Sequence, residues 1–155
     1  MLHLEPITPD NWRSGLRVRD DQREYVADSP GILARAYACR NDRSEAFLIC
    51  RGDTPVGMAL YYDLTGLHAY CLSQFFIDRR YQRRGYGMAA MRLLLQRMQA
   101  DGRFDRVVLC YVDGDEAARV LYERLGFRPT GEAEEDEIVM ALRLCGEDPN
   151  AFAVN

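Results

Sequence analysis

The spacing of apolar positions changes several times along the chain, and each change marks an element. Leu2 to Ile7 alternates as a short strand. Thr8-Pro9-Asp10 then reads as a helix start with Asp10 near the cap, and Trp12, Leu16 and Val18 are its candidate core residues. A polar stretch leads to Ser29-Pro30-Gly31, where Ser29 can cap a second helix carrying Ile32, Leu33, Ala36 and Tyr37. The N-terminal third is therefore expected to be mostly helical and to form one wall of a cleft. Phe47 to Cys50 and Val56 to Tyr62 read as strands joined by the turn Arg51-Gly52-Asp53-Thr54-Pro55.

Beyond a second turn at Asp63-Leu64-Thr65-Gly66, His68 to Ile77 makes a longer strand. Met88 to Met98 carries apolar residues at 91, 94, 95 and 98, the spacing of one helical face, and Asp101-Gly102 stops it. Arg106 to Val112 is a continuous apolar run of buried-strand type. Asp115 can cap a helix over Ala118, Leu121, Tyr122 and Leu125, with Gly126 at its end. Phe127 to Gly131 and Glu137 to Leu144 complete a strand pair through the acidic loop Glu132 to Asp136. The order β-α-α-β-β-β-α-β-α-β-β is a mixed α/β layer structure. Residues 1–146 read as a single domain and 147–155 as a tail without a strong signal.

Composition narrows the class. The chain has 155 residues, 48% of them hydrophobic, enough for one domain with a sizeable core. A net charge of −4 argues against general nucleic-acid binding, and arginine supplies every basic charge. The start lacks the apolar stretch of a signal peptide and no apolar run spans a bilayer, so a cytoplasmic location without membrane partners is expected. The five cysteines (Cys39, Cys50, Cys71, Cys110, Cys145) lack zinc-knuckle or redox spacing and read as reduced core residues; no metal site is expected.

The chemistry concentrates at Gln82-Arg83-Arg84-Gly85-Tyr86-Gly87, between a strand and a helix start. A helix N-terminus offers unsatisfied N–H donors and about half a positive charge, a setting for a diphosphate. The two glycines remove Cβ atoms that would hold phosphate oxygens off the backbone, and arginine adds planar donors. Gly85-Tyr86-Gly87-Met88-Ala89-Ala90 also fits a dinucleotide fingerprint, with Asp105 about 20 residues on. Two features oppose it. Seven mostly polar residues separate Ile77 from Gly85, and too little chain lies beyond the helix to build a second mononucleotide half. A Walker loop is excluded because no Gly-Lys-Ser/Thr follows the glycines.

The hexapeptide resembles the Q/R-x-x-G-x-G/A signature of the GCN5-related N-acetyltransferases. A second segment, Ala118-Arg-Val-Leu-Tyr-Glu-Arg-Leu-Gly-Phe127, resembles the A-x-x-L-Y-E-K-x-G-F stretch of that family's next helix, at the family's spacing. The resemblance implies a mostly antiparallel central sheet splayed between its two central strands, flanked by helices, with acetyl-CoA as cofactor. Carried over by position, it implies that Phe75, Phe76 and Ile77 hold the pantetheine arm with an N–H near Ile77 polarising the acetyl carbonyl. It implies further that Arg83, Arg84, Gly85, Tyr86, Gly87 and Met88 hold the diphosphate, with Gln82 among the cofactor-binding residues, and that Tyr122 stands beside the sulfur as general acid. Asp115 falls where the family often has a cofactor-contacting Asn, which an aspartate cannot match as a donor. By itself, Tyr122 also fits a core aromatic, and His3 and His68 read as structural.

Further segments, Asn11-Trp12-Arg13, Gln22 to Ala27, Tyr70 to Gly87 and Glu137 to Met140, are similar to bacterial diamine and polyamine N-acetyltransferases. This implies a small-molecule amine acceptor, with Glu24, Tyr25, Asp28 and Gln74 as substrate-binding candidates. Glu24, Asp28, Asp63 and the acidic run 132–136 are expected to attract a polycation. Ser73 and Gln74 stand where some of these enzymes carry an acid. Another small amine (aminoglycoside or amino-acid-like), a protein or peptide amine, and a non-catalytic CoA-binding module are the alternatives. Apolar positions on the last strand pair are compatible with a homodimer.

Overall fold

The computed structural model describes residues 1–23 and 28–144. Its elements are β1 (Leu2–Pro6), α1 (Ser29–Ala38), β2 (Glu45–Arg51), β3 (Thr54–Leu64), β4 (Ala69–Ile77), α2 (Tyr86–Asp101), β5 (Arg106–Val112), α3 (Glu116–Leu125), β6 (Arg128–Glu134) and β7 (Glu137–Arg143). Among the described residues the strands form one sheet in the order β1-β2-β3-β4-β5-β7-β6. Every neighbouring pair is antiparallel except β4 and β5, which α2 connects as a crossover. No described helix is long and apolar enough to cross a membrane.

Alternation along the strands sends side chains to two cores. On one face Ile49, Tyr70, Leu72 and Leu109 pack with Met91, Leu94, Leu95 and Met98 of α2, the four positions whose spacing predicts that stripe. On the other face Leu48, Met58, Leu60 and Phe76 pack with Ile32 of α1 and with Leu16 and Val18. Gly57 stands opposite Ile77 in the β3–β4 ladder, and a Cβ there would lie 2.4 Å from the Phe76 carbonyl oxygen. The two strands can close to this distance only around glycine.

The N-terminal expectation needs correction. The segment after β1 makes a single turn, in which the N–H groups of Asn11 and Trp12 donate to the Thr8 carbonyl, and then runs without regular structure through Gly15 at φ 70°. Leu16 and Val18 are buried, but two residues apart they would point to opposite sides of a helix; in extended chain both reach the sheet. Trp12 and Tyr37 are exposed, stacked under Arg13 and Arg40 at 4.6 and 4.2 Å. Asp28, not Ser29, caps α1: its Oδ1 accepts the Gly31 N–H at 2.9 Å. β6 runs on to Glu134 across a bulge at Gly131, shortening the acidic loop. No disulfide joins the described cysteines; Cys50 is buried, Cys39 and Cys71 are half-buried, and Cys110 is exposed rather than core.

One polar network ties the far end of the sheet together. Arg43 donates to buried Asp63 (Nε to Oδ2, 2.7 Å) and to Asp101 (Nη2 to Oδ2, 3.0 Å), while the Tyr70 hydroxyl donates to Asp101 at 2.5 Å. The same hydroxyl accepts the N–H groups of Arg103 and Phe104, so the end of α2 is fastened to β3 and β4. The Arg43 guanidinium first, then the Tyr70 hydroxyl, hold the Asp101 carboxyl at about 2.

Arg43→Ala is expected to cost about 2 kcal/mol in urea unfolding at pH 7, since Asp63 keeps only the more distant Arg103. A carboxyl depressed in the folded state stabilises above its ordinary pKa, so the gap between wild type and variant should narrow as pH falls from about 4 toward 2. Gly57→Ala should cost about 2 kcal/mol by forcing β3 from β4, whereas Gly66→Ala, whose Cβ meets nothing within 4 Å, should stay near wild type.

Candidate active site

The site begins where β4 leaves β5. The two strands pair only through Tyr70–Leu72 and Val107–Leu109. Against β3, Leu60 faces Gln74 and Tyr61 faces Leu72, so Ser73 is one extra residue, a bulge. A bulge bends its strand and shifts the side-chain phase by one. Tyr70 and Leu72 before it therefore share a core with Phe75 and Ile77 after it. Past the bulge β4 keeps only β3 as a neighbour and β5 keeps only β7. Between them opens a cavity of about 460 Å³, lined by Phe75, Phe76 and Ile77 on one side and Cys110, Tyr111 and Val112 on the other. The Asp78 N–H donates to the Val56 carbonyl at 2.7 Å, and by antiparallel alternation the main-chain groups of Phe75 and Ile77 point away from β3, into the gap.

The turn after β4 is fixed by a residue that sequence reading passed over. The Asp78 side chain is fully buried, and its oxygens accept the main-chain N–H groups of Arg17 and Arg80, both at 2.8 Å, and the Arg80 Nε at 2.9 Å. Burial pushes this carboxyl up, but the bonds from Arg80 and Arg17 outweigh it and hold it below the usual range. Gln82 anchors the same turn, donating through Nε2 to the Ile77 carbonyl at 2.9 Å. Arg83 and Gly85 then take left-handed φ of 61° and 79°, and Gly85 caps α2 with no side-chain bond. Ala89 closes the first helical bond to the Gly85 carbonyl, leaving the N–H groups of Tyr86, Gly87 and Met88 without partners among the described residues. A Cβ at Gly85 would meet nothing within 4 Å, so packing does not require this glycine; the backbone angle and the open space above it do. Uncapped donors, a bare backbone and Arg83 at the cavity rim fit a diphosphate.

Tyr122 of α3 closes the other side. It is 8% exposed and lines the cavity, with its ring tilted against Tyr111 and Phe127 at 6.3 and 5.9 Å between centroids. Burial first, then the Asp115 charge, push its phenol above the ordinary value, so it keeps its proton at neutral pH. Asp115 also lines the cavity and caps α3, accepting the Ala118 N–H at 3.2 Å.

Most expected cofactor positions thus converge: Phe75, Phe76, Ile77, Gln82, Arg83, Gly85, Tyr86, Gly87, Asp115 and Tyr122 all line the cavity. Arg84 and Met88 do not. Arg84 lies over the Tyr81 ring at 5.8 Å, and Met88 is half-buried in the first turn of α2. Of the acceptor candidates, Gln74 lines the cavity, Asp28 serves as a cap away from it, and Glu24 and Tyr25 lie outside the described residues. Asp63 is buried with Arg43, and Glu137, the residue that follows the acidic run, lines the cavity. Arg19, Arg35 and Tyr62 line it without having been expected. Arg19 is held by a double bond pair to Asp21, and Arg35 donates to the Ser73 Oγ at 3.1 Å. Nothing in their local spacing marks them; the packing of α1 on β2 and β3 brings Arg35 within reach of Ser73.

A splayed sheet beside an uncapped, basic helix start defines a class, the acyl-CoA-binding transferases, and comparison with known proteins agrees. Residues 7–127 match the acetyltransferase (GNAT) family, and the chain belongs to it. It is 30% identical over 152 residues to the spermine/spermidine N(1)-acetyltransferase of Bacillus subtilis (strain 168), covering 92% of this chain and 99% of that one. The spermidine N-acetyltransferase of Vibrio cholerae, solved with CoA and spermine, superposes with a TM-score of 0.74 at 15% identity, covering 92% and 95% of the two chains. An aminoglycoside acetyltransferase, AAC(6')-Ib with coenzyme A, superposes equally well, at 0.74 and 14% identity over 92% and 95%. The protein is an acetyl-CoA-dependent N-acetyltransferase.

Asp115→Ala should lower stability by about 1 kcal/mol through loss of the α3 cap, and Asp115→Asn should restore it, as read from thermal unfolding.

Proposed function

We propose that this enzyme acetylates a primary amine of a small polyamine or diamine, by direct transfer within a ternary complex. The observation that carries direct transfer is the cavity itself, which joins the uncapped α2 start, the open edge of β4 and the Tyr122 phenol in one continuous space. Acetyl-CoA supplies a thioester-activated acetyl group. The N–H groups of Tyr86, Gly87 and Met88, with Arg83, hold its diphosphate. The main-chain groups of Phe75 align its arm as an added strand would, and the Ile77 N–H, whose carbonyl is held by Gln82, stabilises negative charge on the acetyl oxygen. Tyr122 retains its proton and donates it toward the departing sulfur. The polyamine assignment is supported by the 30% identity to the Bacillus enzyme over nearly the whole chain.

A specific observation favours a second acceptor class. Arg35 enters the cavity with a hydroxyl, Ser73, as its partner and no carboxylate among the described residues. A guanidinium in that place suits an amine that also bears a carboxylate, as an amino-acid-like acceptor does.

Tyr122→Phe should reduce turnover by about 10²–10⁴-fold while CoA affinity, read by calorimetry, stays within twofold. Unchanged turnover would remove the acid role. Acetyl-CoA consumption over spermidine, spermine, putrescine, aminoglycosides and amino acids sorts the acceptors. Polyamine turnover that rises in Arg35→Ala supports the first class, through relief of like-charge repulsion. Turnover confined to carboxylate-bearing amines and lost in the same variant supports the second.

A further inference from the structure

Away from the cavity, the sheet edge gathers three side chains that acetyl transfer does not use. His3 and Glu5 lie two residues apart on β1 and project from the same face, while Leu2 and Leu4 turn to the α2 core. Cys50 of β2 stands directly opposite His3 in the ladder and faces the α1 core. The register of β1 on β2 thus brings an imidazole, a carboxylate and a thiol together from positions 45 residues apart along the chain (50 minus 5). Their ligand atoms all lie within 4.8 Å of one another, and His3 Nε2 is 2.8 Å from Glu5 Oε1. A bulge in β3 falls between the partners of Ile49 and Cys50, a device that re-aims a side chain. None of the three lines the cavity.

We propose that His3, Glu5 and Cys50 bind one zinc-class divalent cation that staples the edge strand β1 to β2. A tetrahedral zinc ion with bonds of about 2.0–2.3 Å keeps its ligand atoms roughly 3.3–3.8 Å apart. Side-chain rotation that moves the ligand atoms by about 1 Å brings the three within that range from their observed separations. Sulfur, imidazole nitrogen and carboxylate oxygen together form a borderline-soft set that selects zinc over magnesium or calcium. Half-exposed His3 and Glu5 leave the fourth position to water, and buried Cys50 supplies the inner anchor. The ion is structural: among the described residues β1 pairs only with β2 and lies at the sheet edge, so a cross-strand link secures the strand most prone to fray.

The test uses the full chain stripped of metal by chelator dialysis. Zinc is titrated against a chromophoric chelator, and cobalt(II) serves as a spectroscopic probe of the thiolate. One equivalent of zinc is expected, with a sulfur-to-cobalt charge-transfer band and a higher thermal midpoint on zinc addition. His3→Ala, at an exposed position that cannot threaten folding, and Cys50→Ser should each abolish the band and the midpoint shift. Asp53→Asn, on the nearby turn, should keep both. Absence of the band in wild type, or its survival in His3→Ala, would overturn the site. Loss of acetyl transfer on zinc removal, at a temperature where the metal-free chain remains folded, would overturn its structural role.

Discussion

A single extra residue in β4 is the constraint on which the site depends. Ser73 is the extra residue, and the pairing of β4 with β5 stops at Leu72, immediately before it, where the cavity begins. The bulge bends β4 away and frees its edge. It also reverses the alternation, so that Leu72 and Phe75 both serve the α2 core. An open edge of this kind is normally a liability in a sheet. Here it is enclosed on the far side by β5 and α3, and its open main-chain groups line the cavity.

Two further constraints keep the rim in shape. Gly57 lets β3 approach β4 closely enough to hold the bent strand, and Asp78 fixes the turn beyond it. That buried carboxylate fastens the irregular N-terminal segment to the basic turn through main-chain donors on both sides. The wall that carries Arg19 and the basic turn before α2 are therefore tied together by one side chain. Arg43, Asp63, Tyr70 and Asp101 do the equivalent work at the opposite end of β3 and β4, where α2 finishes. Between these anchors α2 is held with its uncapped start at the cavity and its end on the network.

Much of the fold is legible in the residues because it obeys local rules. The stripe Met91, Leu94, Leu95 and Met98, the Asp115 cap, the glycine stop at Gly126 and the cradle around Gly85 depend on neighbours within a few positions. Local rules fail where a distant surface decides. The start signal Thr8-Pro9-Asp10 suggests a helix carrying Leu16 and Val18, yet the sheet face they cover favours extended chain. Cys110 sits in an apolar run and is nonetheless exposed, because its strand borders the gap. Arg84 belongs to the basic motif in sequence but turns to the Tyr81 ring, leaving Arg83 at the cavity.

The chain's own spacing determined the element order from α1 onward, the basic turn around Gly85 and the helix that carries Tyr122, since backbone conformation, caps and helical periodicity are local properties. Only the tertiary structure decided which groups meet across strands: Arg35 with Ser73, Asp78 with Arg17, and His3 and Glu5 with Cys50. Pairing register and bulge position are set by the packing of whole faces. A pattern along one segment carries no record of the residues that will stand opposite it.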